Sequence, residues 1–461
     1  MSLAAATVLL LGTHPRAAQA QSNLPRESAV SMGDSGAYAI FHSVMVKGNT
    51  LRFYLPNHLA DGPVDDQHRI PDMQGYLKYQ FWSNLSDFRV DTVSKHNRNQ
   101  FPEECKRWVH APTVMYEGIQ WEHLNTYHFF IDNFLRIYAT LHDLKLFDLE
   151  KFLARQNYEL PNNREANLFL IQRSQSAWKS KFTELFRFIT PNLWTMADAE
   201  GVCFRRLVIG AETATLTYHP IDDPAVQEHV QQVYSEMRRY AVPAQVRMDA
   251  AQSRPPPDTE KYLPRHPDRI QVRIVSRDKK WWTSRLIINE QELIDEINRR
   301  YSGRVEVSTL EFHDMTLANA MVAMNHTDFL IGMHGAGLTN MLWMQPGGVV
   351  IQGMPYGWER SPGKVLGYEQ LARNVNATYF TWRNVNPENA WLREGHFTHH
   401  PGFTFHQHPT KQEVDSGLQY NEAGLLQEWF LYQDTVVDLA TFMPLVDQGM
   451  RLLQKPSAQS S

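Results

Sequence analysis

An α/β fold is predicted for this 461-residue chain, and three observations predict it. Strand-type and helix-type segments alternate from Ile270 onward, and a proline-rich stretch sets that half apart. One apolar strand then runs into a glycine-broken turn and a short helix, Asp328-Phe-Leu-Ile-Gly-Met-His-Gly-Ala-Gly-Leu-Thr-Asn340. Repeated strand-helix-strand units of this length imply a parallel sheet covered on both faces. A chain this long exceeds one compact core, so two domains with extensions are expected.

In order along the second half, Ile270–Val275 is strand-like, and Glu290–Arg300 places Leu293, Ile294 and Ile297 on one helical face. Residues 304–310 alternate as a strand again. Thr316–Met324 is a helix candidate, Phe329–Ile331 a buried strand, Leu338–Met344 a helix and Val349–Gln352 a strand. Residues 251–268 read as a linker, because the five prolines from Pro255 to Pro267 preclude helix or central strand. The expected organisation is a signal-like segment over 1–22, a first lobe over 23–250, that linker, a second lobe over 269–423, and a C-terminal helix and tail over 424–461. The last expectation rests on helical spacing of apolar residues from Gly424 to Phe442.

Composition excludes some classes of function. A formal net charge of -5 argues against a nucleic-acid binder working by bulk electrostatics. No apolar run approaches the roughly 18 to 20 residues needed to cross a bilayer. The start resembles a secretory signal, with apolar Leu3 to Leu11 and the small-x-small pattern Ala18-Gln-Ala20, although no basic residue stands near Met1; a truncated anchor is the alternative. The sequons Asn84-Leu-Ser86, Asn325-His-Thr327 and Asn376-Ala-Thr378 support secretory entry, with chance as the alternative. Asn325 directly precedes a strand and is the least accessible of the three. Cys105 and Cys203 could form one disulfide in that compartment.

The chemistry concentrates in two places. A turn between strand and helix aims backbone N–H groups and the positive helix end at one point, where an anion such as a pyrophosphate can sit. Gly335 and Gly337 permit close approach, and His334 adds a hydrogen bond or a charge; the alternative is a turn whose glycines serve packing alone. Ser276 and Arg277 close one strand and Arg285 precedes a helix, so two guanidiniums flank the same carboxyl edge. Arginine suits phosphate because its planar fork donates two parallel bonds and keeps its charge. In the first half, a helix beginning near Asn125 places His128 and Asp132 on one face. A carboxylate within reach of an imidazole can hold its tautomer for proton transfer, or either group can be a base alone. A His–Asp pair without chemistry is the alternative.

These residues together resemble glycosyltransferase family 61. The resemblance is carried by Ser276-Arg277, Arg285-Leu-Ile-Ile-Asn289-Glu290, Gly332-Met-His-Gly-Ala-Gly-Leu-Thr-Asn340 and Asn125-Thr-Tyr-His128-Phe-Phe-Ile-Asp132. Tyr379–Asn389 and Trp429–Asp438 resemble a branch of the family that adds GlcNAc to O-linked mannose. The resemblance implies a GT-B architecture: two Rossmann-like lobes around a central cleft, with a C-terminal helix crossing back. It also implies an inverting transfer in the lumen of the endoplasmic reticulum or Golgi. The partners implied are a UDP-sugar donor, UDP-GlcNAc favoured over UDP-xylose, and a glycoprotein or glycan acceptor, O-mannose or an EGF domain among them. Donor-site residues by this resemblance are Ser276, Arg277, Arg285, His334, Gly335, Ala336, Gly337, Leu338, Thr339 and Asn340. His128 and Asp132 are the candidates for the base, with Glu117 and Glu122 as alternatives. Asn125, Trp382 and Arg383 are assigned to the acceptor or other contacts, with core packing favoured for Trp382. No Asp-x-Asp occurs, Asp198-Ala-Glu200 being nearest, so no metal held by that motif and no cofactor is expected. Two other readings remain at this stage: a non-catalytic nucleotide-sugar or glycan binder, and a phosphoryl-ligand enzyme of another α/β class.

Overall fold

The computed structural model describes residues 29–32, 38–47, 50–54, 89–93, 105–116, 126–149, 169–172, 184–210, 221–251, 263–277, 285–357, 366–392 and 433–453. The chain forms two compact units. One comprises Met1–Lys151 with Glu159–Ala214, the other Phe152–Tyr158 with Thr215–Ser461. The fold is mixed α/β, with parallel pairing in the main sheet of each unit. The signal-like segment, the Asn84 sequon, Glu117, Glu122 and Asn125 lie outside the described residues.

The first unit is built on strands β1 (Ala29–Met32), β2 (Tyr38–Lys47), β3 (Thr50–Tyr54), β4 (Arg89–Val93), β5 (Arg107–Val109), β6 (Thr113–Tyr116), β7 (Phe169–Gln172), β8 (Leu193–Thr195) and β9 (Val202–Gly210). They pair in the order β4-β3-β2-β9-β6-β7-β8, with β1 on β2 and β5 on β9. β9, β6, β7 and β8 run parallel, whereas β2 meets β9, β1 and β3 antiparallel. Buried residues of these strands, among them Val44, Met115, Ile171, Phe204 and Leu207, form the core. Cys105 and Cys203 are joined as a disulfide beside it, across 98 residues of sequence.

After β6 comes a helical turn, Thr126–His128, then a π-helical segment, Phe129–Phe134, and α1 (Leu135–Asp143). The sequence suggests one regular α-helix here. Instead, the Leu135 N–H donates to the Phe130 carbonyl, five residues back. The wider turn accompanies an aromatic cluster: Phe129, Phe130 and Phe134 are buried, and Phe186 of α2 (Glu184–Ile189) packs against Phe129 and Phe134 with ring centroids 6.1 and 5.1 Å apart. π-turns within helices occur frequently at functional sites.

The second unit begins with α3 (Pro224–Ala251), followed by β10 (Ile270–Val275), α4 (Glu290–Arg300), β11 (Val305–Leu310), α5 (Leu317–Asn325), β12 (Phe329–Met333), a 3-10 helix (Ala336–Trp343), β13 (Val349–Met354), α6 (Leu366–Asn374) and β14 (Thr378–Arg383). The alternation expected from Ile270 onward is therefore present. Thr316 caps α5, its hydroxyl accepting from the Asn319 N–H at 3.2 Å. Where an α-helix is expected from Leu338, the structure has a 3-10 helix starting two residues earlier, the tighter form used for short pieces. All five strands pair parallel in the order β11-β10-β12-β13-β14. The order reverses between β10 and β12, and in such sheets ligands bind beyond the carboxyl ends at that switch point.

One face of this sheet packs Val272, Ile274, Phe329, Ile331, Val349 and Ile351 against Leu293 and Ile297 of α4 and Phe442, Met443 and Val446 of α7 (Leu439–Leu452). Two expectations change here. The stretch from Gly424 to Phe442 is not one helix: β16 (Gln433–Thr435) pairs with β15 (Ala390–Leu392), and α7 starts at Leu439 behind an Asp438 cap. The C-terminal helix packs on the sheet of its own unit, because its apolar stripe faces that core. The long helix α3 also belongs to this unit, whereas a boundary at 250/251 assigns it to the first lobe. Val230, Val233, Tyr234, Met237 and Tyr240 are buried at helical spacing, and Gln227, Gln370 and Asn374 tie α3 to α6 through side-chain hydrogen bonds.

Candidate functional site

The switch point gathers most of the residues expected to hold an anion. β10 ends at Val275, and Ser276 and Arg277 follow; β12 ends at Met333, and His334 and Gly335 follow on the neighbouring strand. The glycines have separable roles. A Cβ on Gly332 or Gly337 would meet Val275 methyls at 2.9 and 2.7 Å, so these two let the turn close on β10. Gly335 has φ +155° and ψ 169°, a conformation essentially restricted to glycine, and a Cβ there would strike the guanidiniums of Arg277 and Arg285. Packing therefore explains Gly332 and Gly337. At Gly335 the missing side chain leaves room for two cations.

Arg285 is held in an unusual conformation. Its φ is +75°, which a long side chain rarely adopts, and its Nη1 donates to the His334 carbonyl at 2.9 Å. The neighbouring backbone keeps it there. The Leu286 N–H donates to the Asp434 carboxylate at 2.9 Å, the Ile288 N–H to the Thr435 carbonyl at 2.9 Å, and the Thr435 N–H to the Leu286 carbonyl at 2.8 Å. The Asn289 side chain joins the same segment through two bonds to Val437. Gln433 in turn holds both backbone groups of Tyr356. The Gln433-Asp434-Thr435 motif thus acts as a brace for the arginine loop, a role its sequence did not reveal.

Burial pushes the Arg277 guanidinium below the usual arginine value, while Tyr368 and Asp434 push it back up. It stays charged, as arginine does in proteins. Burial likewise pushes the Tyr368 phenol up to about 12, against the opposing influence of Thr339, Arg285 and Arg277. Tyr368 packs edge-on to the His334 ring, centroids 5.3 Å apart. The Ser276 hydroxyl donates to the Glu290 carboxylate at 3.1 Å, which occupies the first turn of α4, where negative charge is favourable.

The remaining expected residues divide clearly. Leu338, Thr339 and Asn340 are buried, and Asn340 donates to the Gly337 carbonyl at 3.0 Å, so this part of the 3-10 helix offers support from within. Ala336 and Gly337, half-buried, stand at its first turn. Arg383 is exposed at the carboxyl end of β14. Trp382 has the core-packing role favoured for it rather than an acceptor contact. It is 4% exposed, sits in the core cluster, and donates its indole N–H to Thr441 at 3.0 Å, because alternation along β14 turns it toward α7.

In the first unit, His128 is half-buried at the end of its helical turn, edge-on to Tyr127, with its carbonyl accepting from Asn133 at 3.4 Å. Asp132 lies four residues on, within the π-segment. Four residues are slightly less than one π-turn, so both positions remain on one side of the helix.

The chain matches the family model described as Glycosyltransferase 61 over residues 126–351. The matched region takes in both the His128 helix and the His334 turn. The chain is 28% identical over 195 residues to protein O-linked-mannose beta-1,4-N-acetylglucosaminyltransferase 2 of Takifugu rubripes, covering 39% of this chain and 31% of that protein. To the Homo sapiens protein of that name it is 23% identical over 397 residues, covering 80% and 61%. It is also 25% identical over 361 residues to beta-1,2-xylosyltransferase XYXT1 of Oryza sativa subsp. japonica, covering 76% and 65%. The matches span less than two thirds of the length of each of these relatives. The family match over residues 126–351 and the arginine–glycine arrangement at the switch point agree: the chain is similar to glycosyltransferase family 61.

Proposed function

We propose that this protein is an inverting glycosyltransferase that moves a sugar, GlcNAc favoured, from a UDP-sugar to a hydroxyl of a glycoprotein, O-linked mannose being the favoured acceptor. The observation that carries the donor half is the convergence of Arg277 and Arg285 over Gly335 at the sheet's switch point. In this reading the two guanidiniums, His334 and the first-turn amides of Ala336 and Gly337 bind the diphosphate. As the bond between the anomeric carbon and the phosphate oxygen breaks, negative charge grows on the departing UDP, and fixed donors stabilise it without reorganising. The two arginines supply the cationic charge, so the reading requires no metal and no cofactor. The acceptor oxygen attacks the anomeric carbon from the opposite side, and its proton passes to a base, His128 or Asp132. The two lobes would form a GT-B cleft. A lumenal, secretory setting is supported by the Cys105–Cys203 disulfide.

The relatives' printed names favour GlcNAc and O-mannose over xylose, since most of the relatives quoted carry the O-mannose name. UDP release measured with a panel of UDP-sugars and an O-mannosyl peptide tests the whole reading. Turnover with UDP-GlcNAc and the peptide supports it, turnover with UDP-xylose alone moves it to the xylosyl branch, and UDP binding without turnover leaves a binder. Arg277→Ala should weaken UDP binding at least tenfold, the loss of a charge-assisted bidentate contact. Unchanged affinity removes that residue from the site. Activity surviving both His128→Ala and Asp132→Ala overturns the choice of base.

A further inference from the structure

A polar side chain lies in the middle of an otherwise apolar strand of the second unit. β13 reads Val-Val-Ile-Gln-Gly-Met and is buried at every position; Gln352 itself is 0% exposed. A buried amide must have its hydrogen bonds satisfied, or it costs stability. Gln352 lies within 2.6 Å of the His334 ring, Nε2 to Nδ1, and its Nε2 is 3.0 Å from the Met354 sulfur. Its Oε1 accepts from the Tyr379 hydroxyl on β14. The direction of this chain is therefore set. Tyr379 gives to the Gln352 carbonyl, and the Gln352 amide gives its two hydrogens to the His334 Nδ1 and the Met354 sulfur. The reversed amide would turn its carbonyl oxygen toward that sulfur, lone pair against lone pair.

We propose that Gln352 is a positioning residue that holds His334 in the Nε2–H tautomer, so that the ring meets the donor's diphosphate as a neutral hydrogen-bond donor. The proposal rests on the donor-site reading given above. If Nδ1 accepts, the ring proton must reside on Nε2, since a neutral imidazole carries one. A neutral N–H adds a hydrogen bond to the diphosphate without adding a third positive charge beside Arg277 and Arg285. The backbone fixes the ring's base as well: the His334 N–H donates to the Gly353 carbonyl at 2.8 Å, and Tyr368 closes against the ring. This is the arrangement by which partners behind metal-bound or catalytic histidines set their tautomer, applied here to an anion site.

The test is nitrogen-15 NMR of the full chain labelled at histidine, with the His334 signals identified by their loss in His334→Gln. The tautomer is read directly without any ligand, so the outcome is independent of whether UDP binds. The wild-type protein should show His334 protonated at Nε2 alone at neutral pH. In Gln352→Glu, whose carboxylate can only accept, the proton should move to Nδ1 or the ring should become doubly protonated. In Tyr379→Phe, a milder change that keeps the half-buried ring, the freed amide should reverse in part and both tautomers should appear. An Nδ1–H or doubly protonated His334 in the wild-type protein overturns the proposal, as does an unchanged tautomer in both variants. UDP titration then adds the functional half: Gln352→Glu should weaken binding unless the ring is doubly protonated. A correct tautomer pattern with no UDP binding to the wild type keeps the positioning role and rejects the donor site.

Discussion

Gly335 shows how one residue can combine a backbone and an electrostatic requirement. Its φ of +155° excludes other side chains, and the space a Cβ would fill is taken by two guanidiniums. Gly335→Ala should therefore destabilise the protein by about 1–3 kcal/mol through backbone strain. It should also displace both arginines, so UDP affinity should fall by more than tenfold, read by titration beside a denaturant melt. Tyr368 gives a pH prediction at the same scale. Its folded value, about 12, lies above the ordinary 10.0, because burial favours the neutral phenol. The resulting stability is whole below about pH 10 and is lost as the pH rises toward 12. Tyr368→Phe should flatten the loss of stability across that window in denaturant melts; an unchanged slope assigns the alkaline loss elsewhere. The glycine turn was legible in the sequence because glycine spacing is explicit. Gln352 was legible in principle, as a polar residue within an apolar run, but its partner His334 lies across a strand pair.

The elements were readable where their burial was periodic. Glu290–Arg300 forms the helix its apolar spacing indicates, and β10, β11, β12 and β13 fall on the expected segments with ends shifted by a few residues. The misreadings have distinct causes. The segment after His128 is buried nearly all round, so the spacing of its aromatics could not separate a π-turn from an α-turn. Gln433–Thr435 looked helical because apolar neighbours flank it, whereas its own polar side chains brace Tyr356 and Leu286. The disulfide between Cys105, ahead of β5, and Cys203 of β9 ties the parallel strands of the first unit. Replacing both cysteines by serine should lower that unit's stability by about 2–5 kcal/mol. A shift in the denaturation midpoint of the double variant checks this, and no shift means that the strand pairing alone holds this edge.

Over the whole molecule, two compact units divide near residue 214, ahead of the proline-rich stretch, because α3 buries its apolar face in the second unit. His128 and Asp132 lie in the first unit, and the arginine–glycine turn lies in the second. The proposed secretory setting makes a prediction at this scale. Asn376 is exposed in a turn with φ +57°, and Thr378 of its sequon is exposed too. Thr327 of the Asn325 sequon is 2% exposed and bonded to the Ala323 carbonyl, and Asn325 accepts from Gln345. Expressed through a eukaryotic secretory pathway, the protein should carry glycan at Asn376 and little at Asn325. Peptide mass mapping with and without glycosidase reads both sites; an unoccupied Asn376 in secreted protein counts against that exposure as sufficient.

The sequence by itself determined the alternating second half, the strand-turn-helix unit around His334, the excluded classes and the family resemblance, since periodicity, glycine spacing and charge are local properties. The tertiary structure decided what those residues meet. Strand order placed the end of β10 beside the end of β12, and so brought Arg277 and Arg285 over Gly335. It also set Gln352 against His334, gave α3 to the second unit and buried Trp382. Each of these depends on contacts between residues distant in the chain, and such contacts are fixed by which strands pair and which faces the helices cover.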